Sequence, residues 1–532
     1  MNSLKYLVLI ILTIDITNIN TVFLNMNNNN KIIYNTFIVY GQLIISMIIG
    51  LLSVRIVLKA LGEESYGIYM LVMGVIAMLN VITTSLSNTS MRFISHSLGK
   101  CDLALSQKTF NTSIVIHILF AILLIVILEI GGYFMFEYIL NIPDNKIYEA
   151  KVVYQLMVIT AFISLISVPY DSIINAHENL LILSIVTILG QVLQVLLALY
   201  ILYFCNKNQL IIYGIGLTIN QLIQRFIKQL YSSKYYVECK FNIKKGVDFS
   251  ILKSMINYVG WDFLSTAISI LVTNLKNIYV NMFFGVKLNA GQGIATNVNG
   301  YVNNISRGIT CAITPQMNKS EGAGNRKRLI DLTFTGVKYT SFMFALFAIP
   351  LVFENNYILT LWLGTVPSYA IIFCQLILVN QLVDKTTWQI CNALRSVGNI
   401  KMMTIFECAS SLLYVFIMYY ILKIGKSPEW IYIMELLFII INGSIRLILA
   451  KRLLGINTSK YVKATILPVF IPMVIPIFLI LAIQSYMLES ITRTVLVFII
   501  FISTYALLFL LIGMKKNERN FIGKYTSSLL SR

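Results

Sequence analysis

Charged and amide side chains are costly inside apolar runs, yet this chain places several there: Asp262, Lys276, Asn299, Asn303 and Arg307, with Arg55 near the edge of another run. They belong to stripes at helical spacing. One reads Asp262, Ser265, Thr266, Ser269, Thr273, Lys276 and Asn277, and the next reads Gln292, Thr296, Asn299, Asn303, Ser306, Arg307, Thr310 and Thr314. Thinner stripes hold Gln42, Ser46, Gly50 and Ser53 ahead of Arg55, and Asn80, Thr83, Thr84, Ser87 and Asn88. Hydrocarbon satisfies none of these groups, so their faces must meet protein or water. Interhelical hydrogen bonding accounts for Ser and Thr as well as a cavity does. A continuous run of Asn, Gln, Asp and Arg along two consecutive helices favours a water-filled cavity.

The chemistry such a cavity offers is attraction of an anion. A guanidinium (Arg307) and an ammonium (Lys276) facing one space would draw a diphosphate or an acidic sugar. Asp262 does not neutralise Lys276 directly, because about 21 Å of helix separates them. Arg55 reads equally as a cation snorkelling to the interface. Glu435, Asn442 and Arg446 share one helix face and read as structural, and Pro468, Pro472 and Pro476 as a bend.

Bond-breaking chemistry finds little footing. No Walker-type phosphate loop is present, and no connection is long enough for a catalytic domain. Asp171, His177 and Glu178 cluster at a turn with no nucleophile nearby in sequence. Seven cysteines form no CxxC pair, and the three histidines do not cluster with them, so neither a metal nor a cofactor is expected. The chain reads as a non-enzyme.

The elements that position these groups are membrane spans. Of 532 residues, 58% are hydrophobic and only 12% charged, less than half the charge of ordinary soluble chains. The apolar residues come in long blocks, which sets the fold class as an all-α polytopic membrane protein with about fourteen spans. They lie near 33–57, 67–87, 110–131, 152–170, 180–204, 209–230, 255–284, 290–313, 333–354, 365–387, 402–423, 430–450, 464–484 and 491–513. The net charge of +19 would raise nucleic acid as a partner in a soluble protein. Here the basic residues fall in alternate connections instead: 29 of the 41 Lys and Arg lie on the side of both termini and 8 on the other. Both termini are therefore expected in the cytoplasm. Membrane lipid is the expected surroundings and the chain is expected to be a monomer.

Residues 1–30 fit no span, since the run Tyr6–Thr13 is short and Asp15 interrupts it. Met26 is the expected true start, with an interfacial helix as the alternative. The remaining chain divides into a half at 31–230, a basic linker at 231–254, a second half at 255–450 and a C-terminal pair of spans with a basic tail at 451–532. The halves share a pattern. Gly62 precedes Gly67-Ile68 and Met91-Arg92, and Gly285 precedes Gly293-Ile294 and Pro315-Gln316. A parallel internal repeat of this kind is a transporter trait.

Several stretches resemble the Wzx-like polysaccharide flippases of the MATE-like MOP exporter superfamily. These are Arg55–Gly62, Tyr66–Tyr69, Met91–Ser95, Pro169-Tyr170 with Ala176–Glu178, Asn281–Gly285, Gly293–Ala295, Pro315-Gln316 with Lys319-Ser320, Leu361–Gly364, and Gly398–Lys401. They occur in family order across spans 1 to 11. The resemblance implies two six-helix lobes about a central cavity lined by spans 1, 2, 7 and 8, alternating access, and peripheral spans 13 and 14. It also implies an undecaprenyl-diphosphate-linked oligosaccharide as cargo in the bacterial cytoplasmic membrane, for surface polysaccharide such as the O-antigen of lipopolysaccharide. Trp261-Asp262 departs from the family, where an amide follows the tryptophan, and makes Asp262 a candidate for ion coupling. The competing reading on the same fold is a MATE-type drug/cation antiporter, which would want more buried acids than Asp262. A membrane glycosyl polymerase would need a large outer loop that the chain lacks.

Overall fold

Long apolar runs interrupted by Gly, Pro and short polar turns give a chain of helices. The computed structural model describes residues 28–77, 80–139, 143–239, 246–516 and 518–520. The expectations for the N-terminal extension fall largely outside these residues, as does part of the 231–254 connection. The helices are α1 (Asn28–Ala77), α2 (Asn80–Gly99), α3 (Leu103–Phe134), α4 (Asp144–Ala176), α5 (Leu180–Phe204), α6 (Gln209–Tyr235), α7 (Phe249–Phe284) and α8 (Val286–Gly322). There follow α9 (Arg326–Leu363), α10 (Ala370–Val397), α11 (Lys401–Lys423), α12 (Trp430–Leu454), α13 (Leu467–Tyr486) and α14 (Ile491–Leu508). No strand occurs among the described residues.

Among the described residues, eleven helical segments are long and apolar enough to cross a membrane. The expected spans 2, 8 and 10 are not among them. Spans 8 and 10 fall on α8 and α10, whose Asn, Gln, Ser and Thr content lowers their mean hydropathy, and span 2 runs across residues 78–79, which lie outside the described residues.

Two glycines punctuate the chain at corresponding places. Gly62 breaks α1 with φ 75° and ψ 165°, and Gly285 separates α7 from α8 with φ 81°. Side chains with a Cβ rarely adopt these angles, so the glycines quoted in the repeat have a backbone reason to be there.

The chain forms two compact units: residues 1–263 with 314–324, and residues 264–313 with 325–532. The division falls inside α7, later than the expected start of the second half at 255. The last stretch of α8 groups with the first unit. In the first unit, Val57, Leu86, Leu124, Val153, Tyr213 and Val259 are among the buried core residues. In the second, Val302 packs in one core with Phe344, Ala345, Val469, Phe501 and Tyr505.

That second core revises the expectation that spans 13 and 14 are peripheral. α13 and α14 pack against α9 over Phe344, Ala348, Met473, Val497 and Phe501. A fully buried carboxylate fastens them: Glu354 Oε2 accepts from Arg493 Nη2 at 3.1 Å and Thr494 Oγ1 at 3.1 Å, and its Oε1 accepts from Gln484 at 3.1 Å. Removing one partner of such a buried pair costs about 3–5 kcal/mol. The terminal helices are integral to the second unit.

Candidate functional site

In the second unit, Lys276 of α7 is engaged. Its Nζ donates to both carboxylate oxygens of Glu435 on α12, at 3.0 and 3.2 Å, and lies 5.0 Å from the centre of the Tyr432 ring. Tyr432 and Glu435 are three apart on α12 and so share a face. Tyr414 of α11 fills the adjoining core and donates to the Ile431 carbonyl at 3.1 Å. The lysine side chain is 13% exposed and the glutamate 27%. Glu435, set aside in the sequence as structural, is the counter-ion that the spacing to Asp262 left unfound. The signal was present: a carboxylate in an apolar span needs a cation within reach.

The polar stripe of α8 separates into two faces. Asn303 Nδ2 donates to Asn299 at 2.8 Å and to Gln381 of α10 at 3.4 Å, and Gln389 of α10 donates to Thr310 at 2.8 Å. Gln292 and Ser306 are buried. Asn299 and Asn303 therefore lie along the α8–α10 seam. The residues one position later, Gly293, Gly300, Asn304 and Arg307 with Asn297, are all exposed. Their steps of four, three, four and three hold one helix face, about 100° round from the seam. Gly293 and Gly300 have nothing within 4 Å of where a Cβ would stand, so this face is open. Arg307 sits on it, beside the Cys311 thiol. The sequence stripe found the helix and included Arg307, but its Asn299 and Asn303 lie in the seam, and Asn297 and Asn304 were missed. No hydrogen bond or ion pair joins Lys276 to Arg307 among the described residues.

In the first unit, Arg55 is exposed on α1. Gln42 on the same helix instead accepts from Ser184 of α5 at 3.0 Å. Asp262 is fully buried and accepts from Asn88 Nδ2 of α2 at 3.1 Å. That contact ties two of the expected polar stripes together and gives the departure at Trp261-Asp262 a local partner.

The acidic turn between α4 and α5 also has work to do. Glu178 adopts φ 65°, rare for a residue with a side chain. Its carbonyl accepts from Asn35 at 2.7 Å. Its carboxylate accepts from Lys319 Nζ at 2.7 Å and Gln316 Nε2 at 2.9 Å, both on the last turns of α8. Asp171 pairs with Lys228 at 2.7 Å. His177 bonds Glu238 at 2.9 Å and stacks on Tyr236. Burial raises the Glu238 carboxyl, but the His177 hydrogen bond and charge outweigh it and hold it below the usual carboxylate range. The turn lacks Lys and Arg of its own because its acids neutralise cations arriving from α6 and α8. Backbone packing adds to this. A Cβ on Gly99 would lie 2.1 Å from the Lys319 carbonyl oxygen, and one on Gly322 would lie 2.0 Å from that of His96.

Comparison with known proteins adds the following. Residues 32–320, more than half of the chain, match the family described as polysaccharide biosynthesis protein. No curated protein matches the sequence. Among solved structures, a MATE protein in its bent conformation is similar at a TM-score of 0.71 and 13% identity, covering 81% of this chain and 97% of that one. An outward-facing multidrug resistance MATE family transporter of the MOP superfamily gives 0.68 and 13%, over 81% and 97%. A MOP superfamily transporter from Pyrococcus furiosus, described as having a binding pocket of reverse polarity, gives 0.68 and 14%, over 82% and 98%. At these identities the likeness is one of fold.

Proposed function

The chain belongs to the polysaccharide biosynthesis protein family, a Wzx-like branch of the MOP exporters, and on that premise we propose that its cargo is an undecaprenyl-diphosphate-linked oligosaccharide. The protein is a multi-pass membrane flippase or exporter, not an enzyme. We place it in the bacterial cytoplasmic membrane as a monomer with both termini inside, following the 29-to-8 split of Lys and Arg. Alternating access by the halves 31–230 and 255–450 carries the glycan across.

The single observation that carries the cargo class is Arg307. It is a guanidinium on the open polar face of α8, in line with Asn297 and Asn304. An anion as costly to desolvate as a diphosphate needs such a partner in hydrocarbon, and amides beside it match sugar hydroxyls. Within the second unit Lys276 is a further cation for the same charge, with Asn299 and Asn303 supporting the α8 face from its seam, and on the first unit Arg55 is a candidate of its own. Asp262 is the proposed coupling-ion residue.

A second reading, the drug/cation antiporter, draws on the buried Asp262 and on the fold it shares with multidrug transporters. Deleting the gene separates the two. Accumulation of lipid-linked glycan on the inner leaflet supports the flippase. Unchanged glycan with increased sensitivity to cationic drugs supports the antiporter.

A further inference from the structure

Among the described residues, the second unit holds four ion-paired cations along its spans, Lys276, Lys338, Arg446 and Arg493, and one of them differs from the others. Arg446 is shared by two acids, Asp384 at 2.8 Å and Glu407 at 2.6 Å, and its side chain is 7% exposed. Arg493 is held by Glu354, which is wholly buried. Arg493 also lies 3.7 Å from Glu489, so each of these two cations is shared by two acids, while Lys338 pairs with Glu518 of the C-terminal tail, outside the spans. Lys276 has one acid, both oxygens of that acid are spent on it, and the acid is the more exposed partner at 27%. Of these four it is the one paired with a single acid that itself lies in a span, and so the pair that a ligand passing along the spans can open.

Resting on the flippase reading, we infer that Glu435 is a specificity residue: an internal competitor that reserves Lys276 for ligands carrying more than one negative charge. A monoanionic headgroup that displaced Glu435 would exchange one unit charge for another. It would lose its own freedom of motion and leave an unpaired carboxylate beside a second negative charge. A diphosphate diester carries two charges, so its attraction to the ammonium is about twice that of the carboxylate it replaces. Membranes contain a large excess of single-phosphate lipids over any diphosphate-linked one, and a bare ammonium in a span would bind them. Glu435 thus works by discrimination rather than by affinity. The Tyr432 ring, 5.0 Å from Nζ, steadies the ammonium while its anionic partner changes. Tyr432, over whose ring the ammonium lies, is a phenol and supplies no second cation.

The test uses full-length protein in phosphatidylcholine nanodiscs. Binding of a short-chain polyprenyl-diphosphate-linked sugar is measured with phosphatidylglycerol as the competing monoanion. Wild-type protein is expected to bind the diphosphate and resist competition. Glu435→Gln, with the same shape and no charge, is expected to make phosphatidylglycerol compete about tenfold better. Glu435→Asp, which keeps the charge but loosens the pair, should fall between them and serves if the glutamine variant does not fold. In Lys276→Gln/Glu435→Gln, diphosphate affinity should fall and weak competition return. Wild-type selectivity in the Glu435 variants would overturn this inference alone. Failure of the wild-type protein to bind the diphosphate probe at all would overturn both it and the flippase reading beneath it.

Discussion

Nζ of Lys319 donates to the Glu178 carboxylate at 2.7 Å, across 141 residues of sequence. With the Gln316 amide bound to the other oxygen of the same carboxylate, the final turns of α8 are fixed to the α4–α5 turn within the first unit. Glu178→Ala should therefore lower stability by about 1.5–3 kcal/mol, the range for hydrogen bonds to a charged group. Thermal unfolding in detergent checks this.

Glycine spacing gives a second prediction with a built-in control. Gly99→Ala places a methyl group 2.1 Å from the Lys319 carbonyl oxygen, so backbone must move, at a cost of about 1–3 kcal/mol. Gly131→Ala, with nothing within 4 Å of its added Cβ, should leave the unfolding temperature the same or higher. Equal behaviour of the two variants would contradict the close approach of α2 and α8.

His96, beyond the expected span on α2, is depressed to about 4 by burial first and by the charges of Arg92 and Lys100 second. The unfolded chain then binds a proton that the folded one refuses. The stability contribution is complete above pH 6.5 and is lost as pH falls toward 4. His96→Gln should flatten the fall in melting temperature between pH 7 and pH 5. An unchanged slope would show that another group sets it.

Much of the architecture was legible from residue order alone, because bilayer thickness fixes span length and buried charge is rare. Gly62, Gly285 and the basic connections were readable for that reason. The site was less legible. A stripe such as Gln292, Asn299 and Asn303 tells that a helix face is polar but not which neighbour meets it, and here Gln381 and Gln389 of α10 take that face. Asn297 and Asn304, one residue on, occupy the open one. Lys276 and Glu435 are far apart in sequence, so no periodicity could join them. The sequence tells that Glu435 in an apolar span needs a cation, and packing shows that the cation is Lys276.

Orientation is open to direct measurement. In a cysteine-free background, a cysteine at 207 should label from outside intact cells and one at 245 should not. Labelling of 245 but not 207 would reverse the assignment from the Lys and Arg count.

The central claim is that Arg307 holds the cargo's negative charge. It is tested by measuring lipid-linked oligosaccharide on the inner leaflet of a flippase-null strain that expresses Arg307→Gln at wild-type levels in the membrane. The account predicts accumulation, with flipping reduced about tenfold or more, and partial recovery with Arg307→Lys, which keeps the charge but loses the planar fork. Clearance of the lipid-linked glycan at the wild-type rate by Arg307→Gln would contradict it.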